Sequence, residues 1–571
     1  MTSRGRAPNL IAMSNQPARN HWAFSGASAR LKEIARASRL KWVIVFLTPV
    51  VIAGAYLVGF RWAVCPCDRA CDLIQNGDTK GALEVLDREA QREPHNTEVL
   101  LLRAGAREIL QDMTGALEDY SGAIEIDPKL DQAWEARGKL FMRVGNMPAA
   151  LHDLETASRL RPDSVSALLN RGFVHFYLRD FEQAKRLFDE CTSLDPGDCD
   201  PYFGRAAVAI EERNTDKAME EMTAVLRMEP QNTQALIRRG YARLLASDPK
   251  QALEDFDRVL KIDPDRKDIL WYRADAYRAL GELEKAYQDY KSAASIDPTD
   301  PILLLNQGTV LMKIGRYPEA REKLRQAILL DPLNPQLYTN RAIAEKETGN
   351  LFHALMDLNK AIEMQPNLAW LHVMRASVYK QLARDERALA DLDVALELNP
   401  RDPEAWQLRG NLNINANKLD QAVADLRQAI RLKPNDPASY QLLALALMKK
   451  GDSAEAINQV GQALERESTF APAYVTLGDI HMAESHIDRA VEAYSRALNV
   501  DTKHFDARIR RAKLYMELKK FREAVDDLDQ AAKVNPYRGE VYRLRAACFE
   551  TLGEPEKARQ DKWKARVFVH R

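Results

Sequence analysis

The stretch SIDPTDPIL, Ser295 to Leu303, sets Pro298 and Pro301 three residues apart between two runs of helix formers. Proline cannot continue a helix, so this segment must separate two of them. Stepping by 34 residues from Pro298 meets Pro94, Pro128, Pro162, Pro196, Pro230 and Pro264 on one side, and Pro332, Pro366, Pro400, Pro434 and Pro536 on the other. Only Ser468 and Thr502 interrupt the column. A constant period of this size marks a stacked repeat.

Two further columns describe the repeating unit. Twenty-four residues before each proline site the chain carries only Gly or Ala, from Ala70, Ala104 and Gly138 to Ala512 and Ala546. Twelve residues before, it carries only Ala, from Ala82 and Ala116 to Ala558. Small residues at fixed places in two successive helices let their backbones approach closely, which predicts an antiparallel helix pair. Between the columns a break falls often on glycine, at Gly77, Gly145, Gly281, Gly315, Gly349, Gly451 and Gly553, the residue that tolerates a left-handed C-cap. Pro298 therefore closes one repeat and pushes Asp297 out of the helical region, while Asp300 caps the next helix with Pro301 at its first position. DPLNP, NPRDP and KPNDP repeat the device, ending at Pro335, Pro403 and Pro437.

A large apolar or aromatic residue stands four before the Gly/Ala column, at Trp134, Tyr202, Tyr338, Trp406, Tyr440 and Tyr474. With the 34-residue period, the alanine column and the closing proline, the chain resembles the tetratricopeptide repeat (TPR) family over 63–571, about 14–15 units without an insertion. The resemblance implies an all-α solenoid, a right-handed superhelix of helix pairs. It further implies that first helices line a concave groove that binds a protein or an extended peptide. It implies no chemistry, because function lives in the groove and not in the fold.

Composition fits a solenoid, which lengthens by adding neighbours and needs no larger core. Charged residues make up 29% of the 571, yet the net charge is −1, so no basic footprint for nucleic acid exists. Residues 1–41 form a basic tail expected to lack fixed structure. Residues 42–62 hold WVIVFLTPVVIAGAYLVGF, Trp42 to Phe60, 19 residues without a charge and close to the roughly 20 that span a bilayer. This is expected to be one N-terminal transmembrane signal-anchor helix, with cleavage after Ala53-Gly54-Ala55 as the alternative. Arg4, Arg6, Arg19, Arg30, Lys32, Arg36, Arg39 and Lys41 precede it against one acid, Glu33. The positive-inside rule then keeps the N-terminus in the cytoplasm and places the repeats beyond an inner cell membrane, on the periplasmic side.

CPCDRAC sets Cys65, Cys67 and Cys71 just past this span, open to structural, disulfide and metal readings. Cys191 stands where other repeats carry alanine and reads as a small core residue. Nucleotide-binding, nucleophile-elbow and zinc-protease motifs are all missing, so no enzyme, cofactor or metal is expected. The nearest histidines, His481 and His486, straddle a helix end and read as satisfied or solvated, and acidic pairs such as Asp526 and Asp527 read as a solvated face.

The family's two-carboxylate clamp would need Lys where this chain has Leu169, Phe203, Ile237, Trp271 and Leu305. Asn170, Asn306 and Asn340 fall in the slot of the asparagine ladder found in sugar-transferase arrays, too few to make one. The expected contact surface is instead apolar. It comprises Leu169, Phe173, Phe176 and Tyr177, then Phe203 and Ile210, then Ile237, Tyr241 and Leu244, then Trp271, then Leu305 and Met312. Packing between neighbouring first helices is the competing role. Farther along, the slots turn polar at Gln407, Asn411, Asn415, Gln441 and Asp479. The reading is a membrane-anchored TPR scaffold of a bacterial envelope. The alternatives are a subunit of an envelope polysaccharide or protein-assembly machine and an organelle-surface receptor.

Overall fold

Proline, aspartate and left-handed turn residues divide the chain where their spacing requires. The computed structural model describes residues 66–568, and among them thirty α-helices follow one another with no strand. Helix Leu283–Ile296 stops two residues ahead of Pro298, and Asp297 leaves the helical region at φ −129°, ψ 88°. Asp300 then caps Pro301–Ile314, its Oδ1 accepting the Ile302 amide at 2.9 Å. Asn334, Asp402 and Asp436 cap the helices opening at Pro335, Pro403 and Pro437 in the same way. The break inside each repeat takes a positive φ at all seven expected glycines, and also at eight other residues, among them Ala383 at 53° and Ser485 at 62°.

The small-residue columns sit at the helix contacts. The alanine column from Ala82 to Ala558 is buried throughout, with none of its members more than 2% exposed. A Cβ added at Gly172 would lie 2.5 Å from Phe188 Cε1, so the ring packs into the space that the missing methyl leaves. A second device binds most of the pairs. Arg103 reaches Asp119, Arg137 reaches Asp153 and Arg239 reaches Asp255, the acid always sixteen residues on in the second helix. The pattern continues at Arg375–Asp391, Arg409–Asp425 and Arg545–Asp561. Asp527 belongs to it as well, accepting from Arg511 at 2.7 and 2.8 Å while 4% exposed. The expectation of a solvated Asp527 is thus corrected, since a planar guanidinium satisfies the carboxylate out of water, and only Asp526 stays exposed.

The helices fall into two units, residues up to Pro264 and residues from Asp265. In the first, twelve helices run from Pro66–Gln75 to Pro249–Ile262; in the second, eighteen run from Lys267–Ala279 to Pro555–Val567. Within each unit, helices adjacent in sequence pack against one another. No helix among the described residues is long and apolar enough to cross a membrane. The basic tail, the expected span Trp42 to Phe60 and Cys65 lie outside the described residues. Cys67 is buried in Pro66–Gln75 and Cys71 half-buried. Cys191 is fully buried, as its alanine slot predicts, and its thiol lies 3.6 Å from the Val165 carbonyl it donates to.

Candidate protein-binding faces

In the first unit the expected contact residues sit on three consecutive first helices, Val165–Tyr177, Asp200–Glu211 and Thr233–Leu245. Leu169, Phe173, Phe176, Tyr177, Phe203 and Tyr241 are all half-buried. Leu169, Phe173 and Phe176 pack on a core of Ala184, Phe188 and Val208. Phe173 meets Phe188 edge-on at 5.1 Å between centroids, and Phe176 meets Tyr177 at 5.6 Å and Phe181 at 5.9 Å. These rings already have aromatic neighbours, so part of their surface serves the fold.

Arg238 joins the three helices. Its guanidinium lies 4.6 Å from the Phe203 ring centroid and interacts electrostatically with Asp200 and Tyr177. Burial pushes its pKa down to about 10, against the pull of those two groups. Burial likewise raises the Asp200 carboxyl, with Asp198 adding to the rise and Arg238 opposing it. The Tyr177 hydroxyl is raised by burial and drawn back by Arg238. Sequence reasoning missed Arg238, although it stands in the slot of Asn170 and Asn306, where a cation is out of keeping with its neighbours.

The second unit treats the corresponding slots differently. Trp271 is half-buried on Lys267–Ala279. Leu305 is 2% exposed, inside a core with Leu304, Leu324 and Leu337, and so presents almost no surface. The polar slots pair between successive first helices: Gln407 donates to Asp436 and Ser439, Gln441 donates to Thr476, and Asp479 accepts from Arg510. Asn170 and Asn340 each donate to a carbonyl of their own helix, at 2.5 and 2.8 Å.

Four of the five most exposed large apolar side chains among the described residues stand elsewhere, on or just after two second helices of the second unit. Leu329 ends Tyr317–Leu330 at 71% exposed, Leu333 follows at 82%, and Phe352 and Met356 on Leu351–Met364 are 62% and 68% exposed. Arg384 lies 5.6 Å from the Phe352 ring centroid. Sequence reasoning missed this group, yet the period contains its signal. At steps of 34, Phe352 shares its column with Glu284, Lys250, Glu386 and Asp420, and Met356 with Glu322, Glu254, Glu220 and Glu492. Large exposed apolar side chains in columns that are mostly polar in other repeats make this group a candidate interaction surface.

Family models agree with this architecture. Models described as tetratricopeptide repeat match residues 67–131, 203–267, 305–369 and 442–505, then 481–548 and 165–198, and one described as TPR repeat matches 274–315 and 410–451. No curated protein matches. Among solved structures, the chain is similar to the APC/C hetero-tetramer Cut9-Hcn1, 16% identical over 83% of this chain and 94% of that chain with a TM-score of 0.38. It is similar to Naa15/Naa10 bound to HypK-THB, 14% identical over 88% of this chain and 99% of that chain, TM-score 0.32. A tetratricopeptide repeat protein from Parabacteroides merdae is 23% identical over 44% of this chain and 98% of that chain, TM-score 0.37.

Proposed function

The chain belongs to the tetratricopeptide-repeat family, and from that premise we propose that it is a non-catalytic scaffold, anchored in a membrane, that holds a protein partner. One observation carries the reading: Leu329, Leu333, Phe352 and Met356 expose between 62% and 82% of their surface in columns that are polar in most other repeats. Exposed apolar groups of this size gain most from being covered. A partner with apolar anchors, and acidic groups to meet Arg384, fits this surface. The aromatic first-helix face around Arg238 favours a second reading, in which an extended peptide lies across Phe173, Phe176, Tyr177, Phe203 and Tyr241. The anchor rests on the uncharged stretch Trp42 to Phe60 and the basic leader before it, which put the repeats on the periplasmic side.

Crosslinking in native membranes identifies the partner, and titration of that purified partner against variants then tests the face. Phe352→Ala and Met356→Ala are expected to weaken binding while Phe203→Ala and Tyr241→Ala leave it unchanged. The opposite ranking selects the first-helix groove, and four unaffected variants discard both faces. Alkaline carbonate is expected to leave the chain in the membrane, and protease added from the periplasmic side to digest the repeats. Release of a soluble species starting near Gly54 to Tyr56 would show cleavage instead.

A further inference from the structure

In each repeat the first helix closes through a left-handed residue, and the residue after it donates its amide back to a carbonyl five positions earlier. This closure sets the side chains at its two ends next to each other. Elsewhere it pairs ordinary partners, such as Arg107 with Asp112 at 3.8 Å and His175 with Asp180 at 3.1 Å. After helix Ala471–Ala483 it is different. His486 donates its amide to the His481 carbonyl at 2.8 Å, Ser485 takes the positive φ, and both ends of the closure are imidazoles, with rings 6.1 Å apart. Glu484 stands between them, its Oε2 lying 3.2 Å from His486 Nδ1 and 3.7 Å from His481 Nδ1.

We propose that His481, Glu484 and His486 form a binding site for a divalent transition metal, Zn²⁺ foremost. Their three ligand atoms all lie within 4.8 Å of one another. Ligands held at about 2.0–2.2 Å in tetrahedral geometry stand about 3.3 Å apart, so both carboxylate-to-imidazole separations already fit and the remaining gap needs only small side-chain rotations. The chemistry of the set also selects the ion. Two imidazole nitrogens with one carboxylate suit Zn²⁺, Ni²⁺ or Cu²⁺, whereas Ca²⁺ and Mg²⁺ prefer oxygen alone. A second observation points the same way: His481 Nδ1 is buried without a hydrogen-bond partner, on a side chain 13% exposed. A buried ring nitrogen ordinarily has a partner, and a metal would supply one. Three protein ligands leave a fourth position for water or for a group brought by another molecule. The bound ion would clamp the end of one helix to the start of the next, Ile487–Val500. This proposal stands in place of the expectation that His481 and His486 are satisfied or solvated.

The test titrates ZnCl₂ into the full-length chain after removal of metal with EDTA, by calorimetry and by thermal melting, and repeats it with Co²⁺ as a spectroscopic probe. The expected result is one saturable Zn²⁺ per chain that raises the melting midpoint. His481→Ala and His486→Ala are each expected to weaken it by more than the roughly 10- to 100-fold that loss of a supporting contact costs. Glu484→Gln, which keeps one oxygen and loses the charge, is expected to weaken it less. His486 is half exposed, so His486→Ala should melt like the parent in EDTA, which separates lost binding from lost folding. Co²⁺ should give ligand-field bands without thiolate charge transfer. Absence of saturable binding, unchanged affinity in the His481→Ala/His486→Ala double variant, or a thiolate band reporting the cysteines would each overturn the assignment.

Discussion

The first-helix face of the first unit and the second-helix patch of the second unit are both apolar, but they differ in how much of each side chain water still touches. Phe173 and Phe176 are half-buried against their own core, and Phe203 carries the Arg238 guanidinium 4.6 Å from its ring centroid. Phe352 and Met356 are 62% and 68% exposed, on a helix whose opposite side is buried through Ala354, Leu358 and Ala361. An aromatic already in contact contributes to folding, and its removal is felt there first. An exposed one contributes little until a partner covers it. Apolar character along a groove is therefore a weaker sign of binding than apolar character where most other repeats are polar.

The largest effect concerns what the two units share. Asp255 is 1% exposed and Asp425 4% exposed, and each accepts a two-pronged Arg from the helix sixteen residues before. Removing one partner of a buried ion pair leaves the other charge uncompensated, so Asp255→Ala and Asp425→Ala are each expected to cost about 3–5 kcal/mol. Denaturant unfolding would check this, and a large cost at Asp255 with none at Asp425 would mean that the units are not built on one frame.

The next effect separates the faces. Phe203→Ala is expected to lower stability by about 2 kcal/mol, lost cation–π contact included, and less than the roughly 3–5 kcal/mol of a fully buried Phe because the ring is only half-buried. Phe352→Ala should move stability by no more than about 1 kcal/mol, its exposed cation–π contact with Arg384 included, and weaken the partner by about 2 kcal/mol, close to thirtyfold. Melting and partner titration of the two variants side by side decide it. Equal losses of stability would erase the distinction. A finer version replaces Met356 with the Glu that other repeats carry there. Met356→Glu should leave the melting midpoint within about 0.5 kcal/mol of the parent and abolish capture, since a charge now faces the apolar anchor.

Much of this architecture was legible because the period repeats each decision many times. Prolines, caps and alanines recur in one register, so the helix limits near Ile296 and Pro301 follow from residue chemistry alone. The Arg and acid columns sixteen apart were also periodic; both lapse at Gln307 and Lys323, at Leu443 and Gln459 and at Leu477 and Ala493, while the slot sixteen after Arg171 holds Leu187. Taken singly, an acid such as Asp527 looks solvated, because a charge near compensating charges gives no hint of burial until its fixed partner is recognised. Burial within a slot was the part out of reach. Leu169, Ile237 and Leu305 occupy the same slot, yet Leu169 is half-buried, Ile237 8% exposed and Leu305 2% exposed. The period assigns a direction to a side chain but not the bulk of the neighbours that cover it. Arg238 and the exposed leucines share a lesson, since each is a departure from its column and only the departures distinguish one repeat from the next.

The smallest expected effect uses pH to tell the faces apart. Burial raises the Asp200 carboxyl above its ordinary range, Asp198 adds to this, and Arg238 offsets part of it. A carboxyl whose folded value lies above its unfolded value is disfavoured as the anion in the fold. Its cost is present at neutral pH and is relieved as pH falls through the raised folded value. Asp200→Asn, which cannot ionise, lacks this term, so the parent should gain stability relative to Asp200→Asn on going from about pH 7 to about pH 4.5. Phe352→Ala removes no titrating group and lies among exposed side chains, so its difference from the parent should stay flat over the same interval. Denaturant midpoints of the three proteins at both pH values measure the contrast. A flat Asp200→Asn difference would show that Asp200 ionises as freely in the fold as out of it. The first-helix face would then be as open to water as the second-helix patch, and the physical ground for ranking the two faces would be gone.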